Sequence, residues 1–219
     1  MIDWSSLKSS KRLLLGTTNR KKLVELNAHL LPRGFELLTL SDVSSSIDVE
    51  ETGTTFLENA KLKAVAQAVH HGVWAIGEDS GLCVPALGGA PGIYSARYSL
   101  EEGQSADVGE RSTIDQRNND KLLLQMDSVA DSKRDAYYVS AIVLCDPQGN
   151  VAIEVQGECW GRILRQRQGT EGFGYDPLFE VVEYHETFAQ LGLNVKRAIS
   201  HRSRALREFL RQLDARLTD

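Results

Sequence analysis

The chain reads as an α/β protein built around a mixed β-sheet. In its first half, short apolar runs alternate with helical patterns, which is the signature of β–α–β connections and parallel strands. In its second half, two apolar runs, Tyr137 to Cys145 and Val151 to Val155, are separated only by the turn Asp146-Pro147-Gln148-Gly149-Asn150, which predicts a hairpin. With 219 residues the chain is long enough for one domain with a sizeable core.

Taken in order, Lys11 to Leu15 is a short buried strand that enters the polar turn Gly16-Thr17-Thr18-Asn19. A helix opens over Lys22-Leu23-Val24-Glu25-Leu26 and ends near Pro32-Arg33-Gly34. Glu36 to Leu40 is a second strand, followed by the Ser-rich loop 41–46. Thr55-Phe56-Leu57-Glu58 has capping-box spacing and starts a helix that runs to about His71. The apolar run from Val73 predicts a strand over 73–77, ending in a turn that carries Glu78, Asp79, Ser80 and Gly81. Leu87 to Gly92 is rich in Gly and Pro and therefore irregular. Residues 99–112 read as a polar surface loop, and Asp115 to Met126 as an amphipathic helix. After the hairpin comes a glycine-bearing loop, Gln168 to Asp176. A final helix starts after Ser200 and reaches about Leu213.

Composition narrows the classes of function. A formal charge of −5 argues against a general nucleic-acid binder, although a local positive cluster could still hold a small anion. Cys83, Cys145 and Cys159 lack zinc-ligand spacing and leave one thiol over in any disulfide scheme, which points to a reducing, cytoplasmic setting. No apolar run approaches the roughly 18 residues needed to span a bilayer, and the start, MIDWSSLKSSKR, has no signal-type apolar stretch. Neither a nucleic acid nor a membrane is expected as a partner.

Four segments carry unusual chemistry. In Gly77-Glu78-Asp79-Ser80-Gly81-Leu82, two carboxylates follow an apolar strand, where charge is costly unless it is paired or used. Thr17 to Lys22 places hydroxyls, an amide and cations at a helix N-terminus, where free N–H groups and the helix dipole favour an anion, although the P-loop pattern is missing. Gly172-Phe173-Gly174-Tyr175-Asp176 flanks an aromatic ring with glycines, leaving its face open to a planar base. Ser200-His201-Arg202 puts donors in the first turn of a helix, where the dipole prefers acids. Glu50-Glu51 precedes a helix on which Asn59 and Lys63 share a face. Each of these patterns, taken alone, also fits an ordinary turn or solvated helix.

Together and in this order, the segments resemble the inosine triphosphate pyrophosphatase family, the non-canonical purine nucleoside triphosphate pyrophosphatases. The matching pieces are TTNRKK, EETGTTFLENAKLKA, EDSGL, LGGAPGIYSARY, GFGYDPLF and KRAISHR, spread from residue 13 to about 210. The resemblance implies an elongated mixed sheet with two lobes around a central nucleotide cleft, usually as a homodimer. It also implies magnesium-dependent hydrolysis of ITP, dITP and XTP to the monophosphate and pyrophosphate. By position, Thr17, Thr18, Asn19, Arg20, Lys21 and Lys22 match the triphosphate-binding turn. Asp79 matches the catalytic acidic residue and Ser80 a substrate contact, while Phe173, Gly174, Tyr175, Asp176, Lys196, His201 and Arg202 match the nucleoside-binding set. An acid of the EETG segment is expected at the metal beside Asp79, with Glu50 preferred to Glu51. The chain departs from the family pattern at Glu78 and Pro85, where Asp is common, and at Thr18, where Gly or His is common.

The residue chemistry is consistent with that expectation. A triphosphate carries about four negative charges, so binding it calls for cations, N–H donors and a divalent metal together. Asn19 and Lys22 would supply the first turn's share, Lys63 a further cation, and Glu50 with Asp79 the Mg2+ ligands. Asp79 could equally orient or deprotonate the attacking water. His201 and Arg202 can donate to the 6-oxo group of hypoxanthine or xanthine, whereas adenine would oppose donor to donor at a cost of about 1–3 kcal/mol. The rival readings are a Maf-type pyrophosphatase of other modified nucleotides and a non-catalytic nucleotide-binding protein.

Overall fold

The computed structural model describes residues 2–17, 20–43, 47–100 and 111–218, without the side chains of residues 20–22, 25 and 111. Seven strands form one sheet: β1 (Arg12–Leu15), β2 (Glu36–Leu38), β3 (Ala75–Cys83), β4 (Asp135–Cys145), β5 (Val151–Ile163), β6 (Phe179–Val181) and β7 (Glu186–Thr187). Their order is β2-β1-β3-β4-β5-β6-β7. β1 pairs in parallel with both β2 and β3, whereas β5–β6 and β6–β7 are antiparallel, so the sheet is mixed as expected. The helices are α1 (Trp4–Ser10), α2 (Arg20–Leu30), α3 (Phe56–His71), α4 (Arg111–Gln125), α5 (Phe188–Ile199) and α6 (His201–Thr218). Among the described residues no helix is long and apolar enough to cross a membrane.

The chain divides into two compact units. The first comprises Met1–Asp79, Ser140–Gly157 and Ala205–Asp219; the second comprises Ser80–Val139 and Glu158–Arg204. The first has its own core, in which Leu13 and Leu15 of β1, Ile76 of β3, Ile142 and Leu144 of β4, and Phe209 and Leu213 of α6 pack together. Helix α1, absent from the sequence reading because its seven residues are too few for a periodic signal, is tied to this core by a tilted ring contact between Trp4 and Trp74 at 5.2 Å. The Trp74 indole N–H also donates to Ser6 Oγ at 2.9 Å. The second unit is organised around Leu122 of α4, Met126 just beyond its end, Tyr138 of β4 and the rings of Phe179 and Phe188.

One expectation about β3 needs correcting. The carboxylates do not sit in a turn after a strand ending at Gly77; the strand runs on to Cys83, and Glu78 and Asp79 lie in its middle. Their burial, 1% and 8% exposed, means that both depend on protein partners rather than solvent. The capping box on α3 is as expected: Thr55 Oγ1 accepts from Glu58 N, and the Glu58 carboxylate accepts from Thr55 N. Ser200 also caps as expected, with its Oγ accepting from Ser203 N at 3.3 Å.

Candidate functional site

In the first unit, the backbone of β3 lies directly against α3. A Cβ built on Gly77 would sit 2.0 Å from Ala60 O and 2.6 Å from Ala64 N, so only glycine allows this approach. Side chains two apart on a strand share a face, which puts Asp79 on the same α3-facing side as Gly77. There Lys63 Nζ donates to Asp79 Oδ1 at 3.0 Å and pairs with Glu51 Oε1 at 3.0 Å. It also reaches Glu78 O at 3.4 Å. Asn59, fully buried, donates from Nδ2 to Asp79 Oδ2 at 3.4 Å while its Oδ1 accepts from Gly53 N at 2.8 Å. The Gly53 N–H dictates which way the amide points. Asn59 therefore ties the EETG segment and the strand carboxylate to one helix. On the opposite face of β3, Glu78 Oε1 accepts from Ser140 Oγ at 3.3 Å.

Two carboxylates thus converge on one ammonium. Of the two EETG acids, the structure pairs Glu51 with Lys63, while Glu50, the acid expected at the metal, is exposed. The backbone bends at Glu51: Thr52 N donates to Glu50 O at 3.1 Å, closing a tight turn centred on Glu51. The Glu51 and Asp79 carboxylates are hard oxygen donors of the kind magnesium uses, one or two at a time, with waters and phosphate oxygens completing its shell. Among the described residues no group of three or more His, Cys, Asp or Glu side chains could hold a metal by itself. Of the triphosphate-binding turn, Thr17 follows β1, with its N–H on Leu15 O. Thr18 and Asn19 lie outside the described residues, as do the side chains of Arg20, Lys21 and Lys22.

The second unit begins at Ser80, the residue after Asp79. Ser80 Oγ receives a hydrogen bond from Arg202 Nη2 at 3.3 Å. Phe173 is half-buried, with the Lys196 ammonium 4.5 Å and the Arg202 guanidinium carbon 6.0 Å from its ring centroid. Lys196 follows a break in α5 at Gly192, where φ is +74°, and is ion-paired to Asp176. Burial pushes the Asp176 carboxyl above its ordinary value, while Lys196 and the Phe173 N–H pull it back. The His201 ring stacks on Tyr138 at 4.7 Å, whose phenol is pushed well up by burial.

Phe173, Asp176, Lys196 and Arg202 are therefore one contact set with Ser80, and His201 is packed beside Tyr138 at the start of α6. Tyr175 is different. It is a core residue, 3% exposed, whose hydroxyl donates to Ser95 O at 2.9 Å. Three groups escaped the sequence reading: Asn59 as a bridge, Tyr138, and the pair Asp115 and Asn119, which hold Gly174 by its N–H and C=O at 2.8 Å each. A signal for the last pair existed. Asp115, Asn118 and Asn119 recur at i, i+3 and i+4, a polar stripe on a buried face of a helix otherwise read as simply amphipathic.

The Ham1 family model matches residues 13–212. The dITP/XTP pyrophosphatase of Rhodopirellula baltica is 50% identical over 201 residues, covering 92% of each chain. That of Gloeobacter violaceus is 44% identical over 198 residues, or 90% of this chain and 92% of the relative. Among solved structures, a HAM1 protein from Coxiella burnetii superposes with a TM-score of 0.83 at 34% identity, covering 93% of this chain and 98% of its own. A nucleoside-triphosphatase / dITP/XTP pyrophosphatase from Mycobacterium abscessus gives 0.73 at 40% identity, over 91% and 98%. With the motif segments in order and the match spanning nearly the whole sequence, the chain belongs to the Ham1 family.

Proposed function

We propose that this protein hydrolyses non-canonical purine nucleoside triphosphates, dITP, XTP and ITP, to the monophosphate and pyrophosphate. Relatives named dITP/XTP pyrophosphatase at 39–50% identity cover most of the chain. The observation that carries the chemistry is the buried Asp79 carboxylate, held between Lys63 and Asn59. A carboxylate oriented by an ammonium on one oxygen and an amide on the other keeps its direction, which is what a group that positions a nucleophilic water requires. Asp79 with Glu51 would hold magnesium, which neutralises charge on the phosphates and on the departing pyrophosphate. Lys63 would then shift its charge toward a phosphate oxygen, while Asp79 orients the water and takes its proton. Lys22 and Asn19 are assigned to the triphosphate on the family pattern.

The base is assigned to the second unit. Phe173 offers a face for stacking, and Arg202 and His201 supply donors for a 6-oxo group. A canonical adenine at that position would leave a buried donor unpaired, at about 1–3 kcal/mol. A cytoplasmic homodimer completes the proposal: three free, buried cysteines suit a reducing compartment, and the dimer follows the family resemblance.

The test is pyrophosphate release with magnesium across dITP, XTP, ITP, GTP, ATP and dTTP. Preference for the 6-oxo purines lacking a 2-amino group, with pyrophosphate as product, supports the proposal. Preference for the pyrimidine dTTP over the purines would favour a Maf-type activity, and binding without turnover would favour a non-catalytic role.

A further inference from the structure

The backbone on either side of Phe173 is held by side chains. Asp176 Oδ2 accepts from Phe173 N at 2.9 Å, and Asp115 Oδ2 accepts from the next N–H, that of Gly174, at 2.8 Å. These two peptides set φ and ψ of Phe173 and therefore the direction in which its ring leaves the backbone. The following carbonyl, Gly174 O, accepts from Asn119 Nδ2 at 2.8 Å, and the same nitrogen donates to Asp115 O at 2.6 Å. Two carbonyl acceptors fix the orientation of the Asn119 amide. Asp115 and Asn119 stand one turn apart on α4, so they reach the loop from the same face, and Asn119 is 3% exposed.

Gly174 explains why such a grip is needed. Its φ is +61°, yet a Cβ built there would meet nothing within 4 Å. The residue is glycine for its conformation and not for lack of space, and glycine peptides rotate freely unless they are held. Asp176 N also donates to Phe173 O, at 3.3 Å; losing the α4 carboxylate and amide would loosen the peptides after Phe173, and the ring direction with them.

We propose that Asp115 and Asn119 are positioning residues that set the Phe173 ring for the nucleotide base, and so govern affinity for the base rather than for the phosphates. This rests on the reading of Phe173 as the stacking face. Binding a planar base between ordered groups loses affinity when one of them must first be immobilised. The clamp removes that loss in advance.

The experiment is a double-mutant cycle on the full-length protein with dITP as substrate and inorganic tripolyphosphate, which has no base, as competitive inhibitor. Phe173→Ala is expected to raise KM for dITP by about tenfold or more. Asp115→Ala is expected to raise KM by a factor of about 3–10, with the change falling on KM rather than kcat, and to leave the tripolyphosphate inhibition constant where it was. Asp115→Asn should restore most of the loss, because its amide oxygen still accepts from Gly174 N–H. The double variant Asp115→Ala/Phe173→Ala should be no worse than Phe173→Ala alone, since a clamp that acts through the ring has nothing left to position. Multiplicative losses in the double variant, or an equal loss for tripolyphosphate, would show that Asp115 serves the general fold and overturn the proposal. An unchanged KM in Asp115→Ala overturns it as well. If Asp115→Ala yields no soluble protein, Asn119→Ala goes through the same cycle with the same outcomes. An unchanged KM in Phe173→Ala defeats the stacking assignment itself, and the clamp proposal with it.

Discussion

Gly77→Ala is a small substitution that should disturb both stability and turnover. The built Cβ lies 2.0 Å from Ala60 O and 2.6 Å from Ala64 N, whereas carbon and carbonyl oxygen rest about 3.3 Å apart. Relieving the clash requires α3 and β3 to separate by roughly 1 Å. Both obstacles are backbone atoms of a helix, so no side-chain rotation can absorb the shift. Overpacking costs about 1–3 kcal/mol, and a rigid obstacle puts this site at the upper end. For a chain of this size each kcal/mol lowers Tm by about 2–4 °C, so a fall of about 6–12 °C is expected. The same shift carries Asn59 and Lys63 away from Asp79, whose contacts at 3.4 and 3.0 Å leave little margin. Turnover should therefore drop by about tenfold or more, as a misplacement of this size does in a positioned site. Thermal denaturation followed by circular dichroism and initial rates of pyrophosphate release measure the two effects. Gly34→Ala is the control. Its Cβ meets nothing within 4 Å, but φ is +80°, so it should cost about 1–2 kcal/mol of torsional strain without a fall in kcat. A Gly77→Ala protein with the parent Tm and the parent kcat would refute the contact between β3 and α3 as the device that aims Lys63 and Asn59.

Three further outcomes are expected. Asp79→Asn should lower kcat by about a thousandfold or more while most of the nucleotide affinity remains, and steady-state turnover within about tenfold of the parent would remove Asp79 from the centre of the chemistry. Arg202→Ala should lower the ITP-to-ATP ratio of kcat/KM, because it removes a donor beside Phe173 and Ser80 that adenine cannot use; an intact ratio would assign Arg202 to the fold or the phosphates. Burial raises Cys83 above the ordinary thiol value and pushes both Cys145 and Cys159 up to about 11, so little thiolate exists near pH 8. An aromatic disulfide reagent should react with all three only after denaturation, and rapid labelling of the native protein would contradict their placement.

The sequence alone determined the elements whose signals are local. Thr55 and Glu58 announce the start of α3 because a capping box is satisfied within four residues. Ser200 announces α6 in the same way, and the alternation of short apolar runs with helices was enough for a mixed α/β sheet. The identity of the chemistry-bearing segments was legible too, because a carboxylate pair after an apolar run, or an aromatic between glycines, stands out against ordinary composition. The partners of those segments were not legible. Which of Glu50 and Glu51 meets Lys63 depends on how the chain turns there, which the sequence does not reveal, and the tertiary packing chose Glu51. The strand through Glu78 and Asp79 looked like a turn because buried carboxylates are expensive, and partners such as Lys63, Asn59 and Ser140, arriving from 15 to 62 residues away in sequence, help make it tolerable. Asp115 and Asn119 reach Gly174 across 59 and 55 residues. Hydrogen bonds between distant segments leave no periodic trace in either one, so only the folded chain could show which polar side chains hold the site and which face water.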